Sequence, residues 1–146
     1  MNRNRLEQPG EFGTQINTEI TSFPATISNS TTTTVAIGSA SRKQYFNAGA
    51  VSQTVLATSG SALTVTIGKY DSLNSFAKVP LTAAQDITVT SQTAKQTFPI
   101  PALASNSDAQ RTIQPADSLY ADFIAAGTVT SQATGGIIGA ELFILR

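Results

Sequence analysis

Apolar and polar residues alternate along several short runs from Val35 onward. The runs with this period of two are residues 35–37, 61–70, 85–91, 118–127 and 137–146. Successive side chains of a β-strand point to opposite faces of a sheet, so each run predicts a strand with one buried face. The residues that this pattern places in the core are Leu63, Val65, Ile67, Ile87, Val89, Leu119, Phe123, Leu142 and Ile144. No window of about eleven residues has a helical period, and residues 81–86 predict one helical turn at most.

The last run is apolar on both faces. Ile138, Ala140, Leu142 and Ile144 fall on one side of it, and Phe143 and Leu145 fall on the other. A strand that faces water on one side is polar there, so two-sided apolarity predicts a central strand or a strand whose second face is covered by a partner.

Turn-forming clusters rich in Gly, Ser, Asn and Asp separate the runs at roughly the 8–12-residue spacing of all-β folds. Pro80, Pro99, Pro101 and Pro115 fall at expected strand borders or edges, where a missing N–H does no harm. Residues 35–146 are therefore predicted to form an all-β domain. We expect an antiparallel β-sandwich of eight to ten strands, jelly-roll-like rather than immunoglobulin-like.

Residues 1–34 lack the alternation of the rest of the chain. Ile16, Ile20, Phe23 and Ile27 are scattered there between polar residues. Such a segment buries little apolar surface on its own. It predicts an extended N-terminal arm, or an edge segment that becomes ordered on a neighbour, and the alternative is a frayed terminus.

The composition indicates a surface that is polar through neutral groups. Nine Lys and Arg balance nine Asp and Glu, and charged residues make up 12% of the chain, against about 25% in typical domains. The 21 threonines and 15 serines suit pleated strands and turns. Without an excess of positive charge, nucleic acid is not expected as a partner. No run approaches the roughly 20 apolar residues of a membrane span, and the N-terminus has no apolar signal region, so no membrane partner is expected either.

The sequence lacks the residues of the common catalytic centres. It contains no His and no Cys, which excludes Ser-His-Asp and Cys-His arrangements, disulfides, and thiolate or imidazole metal sites. Asp117 and Asp122 are an odd number of positions apart, so a regular strand would place them on opposite faces rather than around one glycosidic bond. Asp117 is expected in a turn and Asp122 at a solvated strand position. We predict no enzyme activity, no metal and no cofactor.

A basic and aromatic cluster interrupts the polar N-terminal third. Arg42 and Lys43 directly precede Gln44, Tyr45 and Phe46. Such a pair of cations and rings can stack on a sugar or a nucleobase, or fix a loop against a neighbouring subunit. The more common arrangement is a strand whose aromatic side chains enter the core while the cations stay in water.

The last third of the chain combines four parts in sequence. They are a turn at 115–117, an alternating strand at 119–125, a Gly/Thr loop at 127–136, and a final apolar strand at 137–145 that carries Glu141. In these parts the chain resembles the tailed-bacteriophage capsid decoration, or cement, proteins. Phage fibre heads and tumour-necrosis-factor-like trimers share this pattern. The resemblance implies a non-enzymatic virion structural protein, made in the host cytoplasm, which binds the outside of a capsid as a homotrimer. Its implied partners are the major capsid protein and further copies of itself.

A role of this kind requires surfaces for capsid or subunit contact. The residues expected to supply them are Ile16, Ile20, Phe23, Ile27, Arg42, Lys43, Tyr45, Phe143 and Leu145. The alternative function is a receptor- or carbohydrate-binding fibre module. Only three Tyr, seven Phe and no Trp are present, and most of them lie inside alternating runs, which counts against that alternative.

Overall fold

The fold is built from two antiparallel sheets. The computed structural model describes residues 16–23, 26–27, 32–39, 42–53, 62–88, 96–127, 129–130 and 136–144. The first sheet has the strand order β1 (Ile16–Phe23), β12 (Gly136–Ile144), β4 (Gln44–Gln53) and β8 (Gln96–Pro101), and β9 (Thr112–Ile113) also pairs with β4. The second has the order β3 (Thr32–Ser39), β10 (Ser118–Ala126), β5 (Ala62–Asp71) and β6 (Ala77–Pro80), and β7 (Gln85–Asp86) also pairs with β5. A short separate pair joins β2 (Thr26–Ile27) to β11 (Val129–Thr130).

The chain crosses repeatedly from one sheet to the other. Strands β1, β4, β8 and β12 belong to the first sheet, while β3, β5, β6 and β10 belong to the second. Neighbouring strands in each sheet are therefore mostly distant in sequence, as in a jelly roll, and the strand pairs of the described residues are antiparallel. This confirms the predicted all-β, jelly-roll-like sandwich.

The facing sides of the two sheets form the core. Its buried members include Phe46, Val51, Leu63, Val65, Ile67, Leu81, Ile87, Ile100, Ile113, Leu119, Phe123, Ile138 and Leu142. Seven of the predicted core residues are thus confirmed. Ile144 is only half-buried because it lies at the end of β12, opposite the first residue of β4. Val89 lies outside the described residues.

The final strand β12 is central in its sheet, which was one of the two alternatives that its two-sided apolarity predicted. It pairs with β1 on one side and with β4 on the other. Ile138, Ala140 and Leu142 point into the core, whereas Ile137 and Phe143 lie on the outer face. The outer face of the first sheet therefore carries apolar residues that the core does not cover.

Helical structure is minor in the described residues. A 3-10 turn spans Ser72–Asn74 and the helix α1 spans Asp108–Arg111. Ser107 and Gln110 form a capping box at the start of α1. The possible turn over residues 81–86 is absent, because that segment contains β7 and a bridge from Thr82 to Ala102 instead.

The N-terminal region contributes an edge strand. Residues 16–23 pair with β12 along their whole length, and the boundary expected at residue 34 falls inside β3. The alternation rule missed β1 because its register turns Asn17, Glu19 and Thr21 toward the inner face, which leaves no apolar stripe. The division of the chain into an arm of residues 1–34 and a domain of residues 35–146 stays a prediction.

Candidate interaction surfaces

An apolar groove crosses the outer face of the first sheet. Its volume is about 340 Å³, and its lining residues are Thr18, Ile20, Ala48, Gly49, Ala50, Ser52, Ile137, Gly139, Ala140 and Glu141. We call this depression the groove. The register explains it: Ile20 stands opposite Gly139, which stands opposite Ala50. Gly139 has no side chain and Ala50 has only a methyl group, so the surface of the sheet is depressed beside the larger Ile20 and Ile137. These two isoleucines are 62% and 44% exposed.

The groove contains one charged lining residue, Glu141. Its carboxylate accepts a hydrogen bond of 2.6 Å from the amide of Asn47. Asn47 is the extra residue at a β-bulge in β4, where the pairing shifts between Glu141 and Leu142. Bulges commonly redirect a side chain at a functional edge, and here the bulge residue Asn47 bonds to Glu141 at one end of an apolar surface.

Two exposed apolar side chains lie on the connection between β5 and β6. Leu73 is 77% exposed and Phe76 is 57% exposed, and we call this pair the knob. Ser75 and Phe76 both have positive φ, at 53° and 59°. A bulky residue in the left-handed region is unusual, and each such residue costs on the order of 1–3 kcal/mol.

Hydrogen bonds hold the strained turn in place. The Leu73 amide donates to the Asp71 carboxylate at 3.1 Å, and the Phe76 amide donates to the Asp71 carbonyl at 2.8 Å. The second bond, with Ser75 left-handed, has the pattern that ends many helices. The exposure of Leu73 and Phe76 is therefore fixed by the backbone rather than by a loose loop.

A buried ion pair anchors this turn to the sandwich. Lys69 Nζ lies 3.5 Å from Asp117 Oδ2, and the two side chains are 3% and 0% exposed. Lys69 also donates to the Thr112 carbonyl at 2.7 Å. The Asp117 carboxylate accepts from the backbone amides of Ser72 at 2.7 Å and Gln114 at 2.8 Å. One carboxylate thus joins the start of the knob turn, the turn before β10 and the inner face of β5.

The surroundings of Asp117 favour its charged form. Burial by itself raises the pKa of this carboxyl, but the hydrogen bonds from Ser72 and Gln114, with the nearby charge of Lys69, outweigh burial and lower the pKa below its usual value. Asp117 does lie in a turn, as expected, but its burial was not foreseen. Lys69 was overlooked, although the alternation of β5 continues from Ile67 to Lys69 and so places a lysine on the inner face.

The basic and aromatic cluster divides between core and surface. Phe46 is fully buried, while Arg42 and Lys43 are exposed. Tyr45 is half-buried; its hydroxyl donates to Asp108 at 3.0 Å, and the Arg111 guanidinium lies 4.7 Å from its ring centre. Burial and the hydrogen bond to Asp108 raise the pKa of Tyr45. Phe46 thus enters the core, as aromatic residues of a strand commonly do. Tyr45 instead packs against Arg111, a contact that was not predicted from the sequence.

The outer face of the second sheet carries a polar and aromatic cluster. Lys78 forms a 2.9 Å ion pair with Asp122 and lies 4.7 Å from the ring centre of Tyr120. Thr34 donates to Asp122 at 2.6 Å. Burial, followed by the nearby Asp122 and Tyr70, raises the pKa of Tyr120 to about 12. Asp122 is on this outer face, whereas Asp117 is buried beside Lys69, so the two carboxylates do not form one site.

Gly68 is required beneath Tyr120. A Cβ atom at this position would collide with the Tyr120 phenol and would lie 2.7 Å from the Val79 carbonyl oxygen. We expect Gly68→Ala to lower the free energy of unfolding by about 1–3 kcal/mol, because the backbone of β6 must shift. Urea denaturation measures this. Thr66→Ala, on the same strand and face, is the control; an equal loss in both variants would contradict the steric explanation.

The expected contact residues fall into several environments. Ile20 lines the groove, Phe143 is half-buried on the outer face of β12, and Arg42 and Lys43 are exposed. Ile16 and Phe23 begin and end β1. Ile27 is 1% exposed and belongs to the core, so its expected place on a contact surface is corrected. Leu145 lies outside the described residues. The contact role of the others stays a prediction.

The described residues offer no cluster of three or more potential metal ligands. Within the same part of the chain, neither helix has the length and apolarity of a membrane span.

Comparisons with solved structures find viral chains that are similar to this one. A chain in the structure of infectious bursal disease virus Gx strain is similar to this one, with a TM-score of 0.51 and 10% identity. The match covers 88% of this chain and 32% of the viral chain. Chains from the Gt strain and from the T13 viral particle of the same virus give TM-scores of 0.49 and 0.45, at 12% and 14% identity. They cover 89% of this chain each, and 32% and 31% of the viral chains.

The likeness to the Gx-strain chain shows a shared fold. The protein spans about a third of that viral chain's length. No protein-family model matches the chain, and no curated protein matches its sequence.

Proposed function

We propose that the protein is a non-enzymatic structural component of a virion. The observation that carries this proposal is the jelly-roll fold that it shares with a chain of the infectious bursal disease virus structure. The absence of His and Cys from the sequence removes the common nucleophile and base pairs. The described surface instead presents the groove and the knob, and exposed apolar patches of this kind commonly mark interaction sites.

In its finer form, the proposal is that the protein decorates the outside of a tailed-phage capsid and stabilises it. The resemblance of residues 111–146 to capsid decoration proteins supports this role. The partner is then the major capsid protein, and the location is the capsid surface after synthesis in the host cytoplasm. Residues 1–34 are the proposed attachment segment, which includes β1.

We also propose that the protein associates with itself as a homotrimer. Support comes from the outer face of the first sheet, where Ile20 and Ile137 are exposed and one lining residue is charged. Interface centres are depleted in charged residues in the same way. Closed symmetry is the usual outcome for soluble homo-oligomers.

Co-sedimentation with purified phage heads tests the virion role. The full chain is expected to pellet with heads at a fixed, saturable ratio. A variant without residues 1–15 is expected to melt like the full chain, since β1 is intact, but to bind heads more weakly. Glycan and host-cell binding assays run in parallel. Binding to glycans or cells without binding to heads would replace this proposal with the receptor-binding function.

A further inference from the structure

The exposed large hydrophobic residues of the described chain fall into two groups, with one exception. They are Ile20, Leu73, Phe76, Ile124 and Ile137. Ile20 and Ile137 line the groove, and Leu73 and Phe76 form the knob. Only Ile124 belongs to neither.

We propose that the knob of one copy inserts into the groove of a second copy, in a head-to-tail contact. This inference rests on the self-association in the proposed function and not on the virion role. The occupant of the groove is thus another molecule of the same chain, presenting Phe76 and Leu73.

The dimensions agree with this occupant. A cavity of about 150 Å³ lined by aliphatic and aromatic side chains accommodates a benzene ring. The groove has a volume of about 340 Å³, which leaves room for the Phe76 ring together with Leu73. The floor of Ala48, Ala50 and Gly139 allows a ring to approach the backbone of the sheet closely.

The knob is preorganised for insertion. Three hydrogen bonds fix the turn before any partner binds. The amides of Leu73 and Phe76 donate to Asp71, and the amide of Ser72 donates to buried Asp117. A rigid anchor loses little conformational freedom on binding, which lowers the cost of association. Ser75 and Phe76 are both left-handed, and backbone strain of this kind is concentrated at functional sites.

The charges are complementary as well. Glu141 is the one charged residue that lines the groove. On the knob side, Leu73 lines a depression of about 330 Å³ whose charged lining residues are Lys43, Lys69 and Asp71. Asp71 lies 4.0 Å from Lys69, so exposed Lys43 gives this lining a net positive charge. Opposite charges at the rim of an apolar contact favour one docking orientation over others.

The geometry of the contact determines the symmetry of the assembly. The knob belongs to the β5–β6 connection and the groove to the outer face of the first sheet, so one copy can use both at once. A contact between two different surfaces is heterologous, and it produces a ring when the rotation closes. A three-membered ring is the closed form that matches the proposed homotrimer.

Two single-surface variants test the inference. Phe76→Asn removes the ring and places at this backbone position a residue that tolerates positive φ, so it is expected to melt no lower than the wild type. Ala50→Arg fills the groove from an exposed strand position. Each variant alone is expected to be monomeric by light scattering after gel filtration. Their mixture is expected to form a one-to-one dimer, because one supplies the knob and the other the groove.

The absence of native cysteine permits a covalent version of the same test. Phe76→Cys mixed with Ala50→Cys is expected to give a disulfide-linked dimer of the two different variants, and Ile124→Cys is the control that should not crosslink with either. A monomeric wild type, an unchanged oligomer in either single-surface variant, or crosslinks only between identical variants would overturn the head-to-tail contact. Co-sedimentation with heads is read separately, so failure of the virion role is distinguishable from failure of this inference.

Discussion

Replacing Phe123 by alanine is expected to lower the free energy of unfolding by about 3–5 kcal/mol. Phe123 is fully buried on β10, the strand between β3 and β5, where it stands opposite Thr33 and Val65. The substitution removes an aromatic ring from the middle of the core and leaves a cavity that two flanking strands cannot close without losing their register. Chemical denaturation monitored by circular dichroism measures the change.

Ile124→Ala is the matched control for this prediction. Ile124 is the next residue on the same strand, but it points to the outer face and is 47% exposed. We expect a loss of less than about 1 kcal/mol, as for most surface substitutions. Equal losses at the two positions would mean that the sandwich core is not where the structure places it.

Replacing Asp117 by alanine is expected to cost about 3–5 kcal/mol. Removing one member of a buried ion pair leaves the other charge without compensation. Here Lys69 would remain buried with the more distant Asp71 carboxylate, 4.0 Å away, as its acidic neighbour, and the amides of Ser72 and Gln114 would lose their acceptor. Chemical denaturation monitored by circular dichroism measures this loss. The knob turn is also expected to loosen, and faster hydrogen exchange of the Ser72 amide would show it.

The surface pair of Lys78 and Asp122 provides the control. Its side chains are 41% and 18% exposed, so Asp122→Ala is expected to cost only about 0–1 kcal/mol. A double variant, Lys69→Met with Asp117→Leu, is expected to recover part of the stability lost in Asp117→Ala, because no buried lysine remains without the Asp117 carboxylate. If the double variant is less stable than Asp117→Ala alone, the ion pair contributes more than charge compensation.

The Asp117 interactions also predict the direction of a pH dependence. The folded protein holds the pKa of this carboxyl below the value of about 3.9 usual for the unfolded chain. The stabilisation is therefore fully present above that usual value and is lost as the pH falls through the lower folded pKa. Acid denaturation of the wild type should show this loss, and Asp117→Ala should show a shallower dependence in the same range.

The strands of the sandwich were predictable from local alternation, because successive side chains of a strand point to opposite faces. Val65 and Ile67 were assigned to the core on that basis, and both are fully buried. The edge strand β1 could not be found in this way, since its inner face is polar. The place of β1 in the first sheet depends on its backbone pairing with β12. That pairing is a property of the assembled sheet.

The sequence by itself determined the fold class, the apolar faces of the long strands and the absence of His and Cys chemistry. The tertiary structure alone decided that Asp117 meets Lys69, that Tyr45 lies under Arg111, and that Gly139 and Ala50 adjoin to open the groove. The physical reason is that alternation is a pattern among neighbouring residues, whereas these contacts join segments that are far apart in the chain. The order in which a jelly roll brings strands together, and the register of each pair, is set by packing of the whole core.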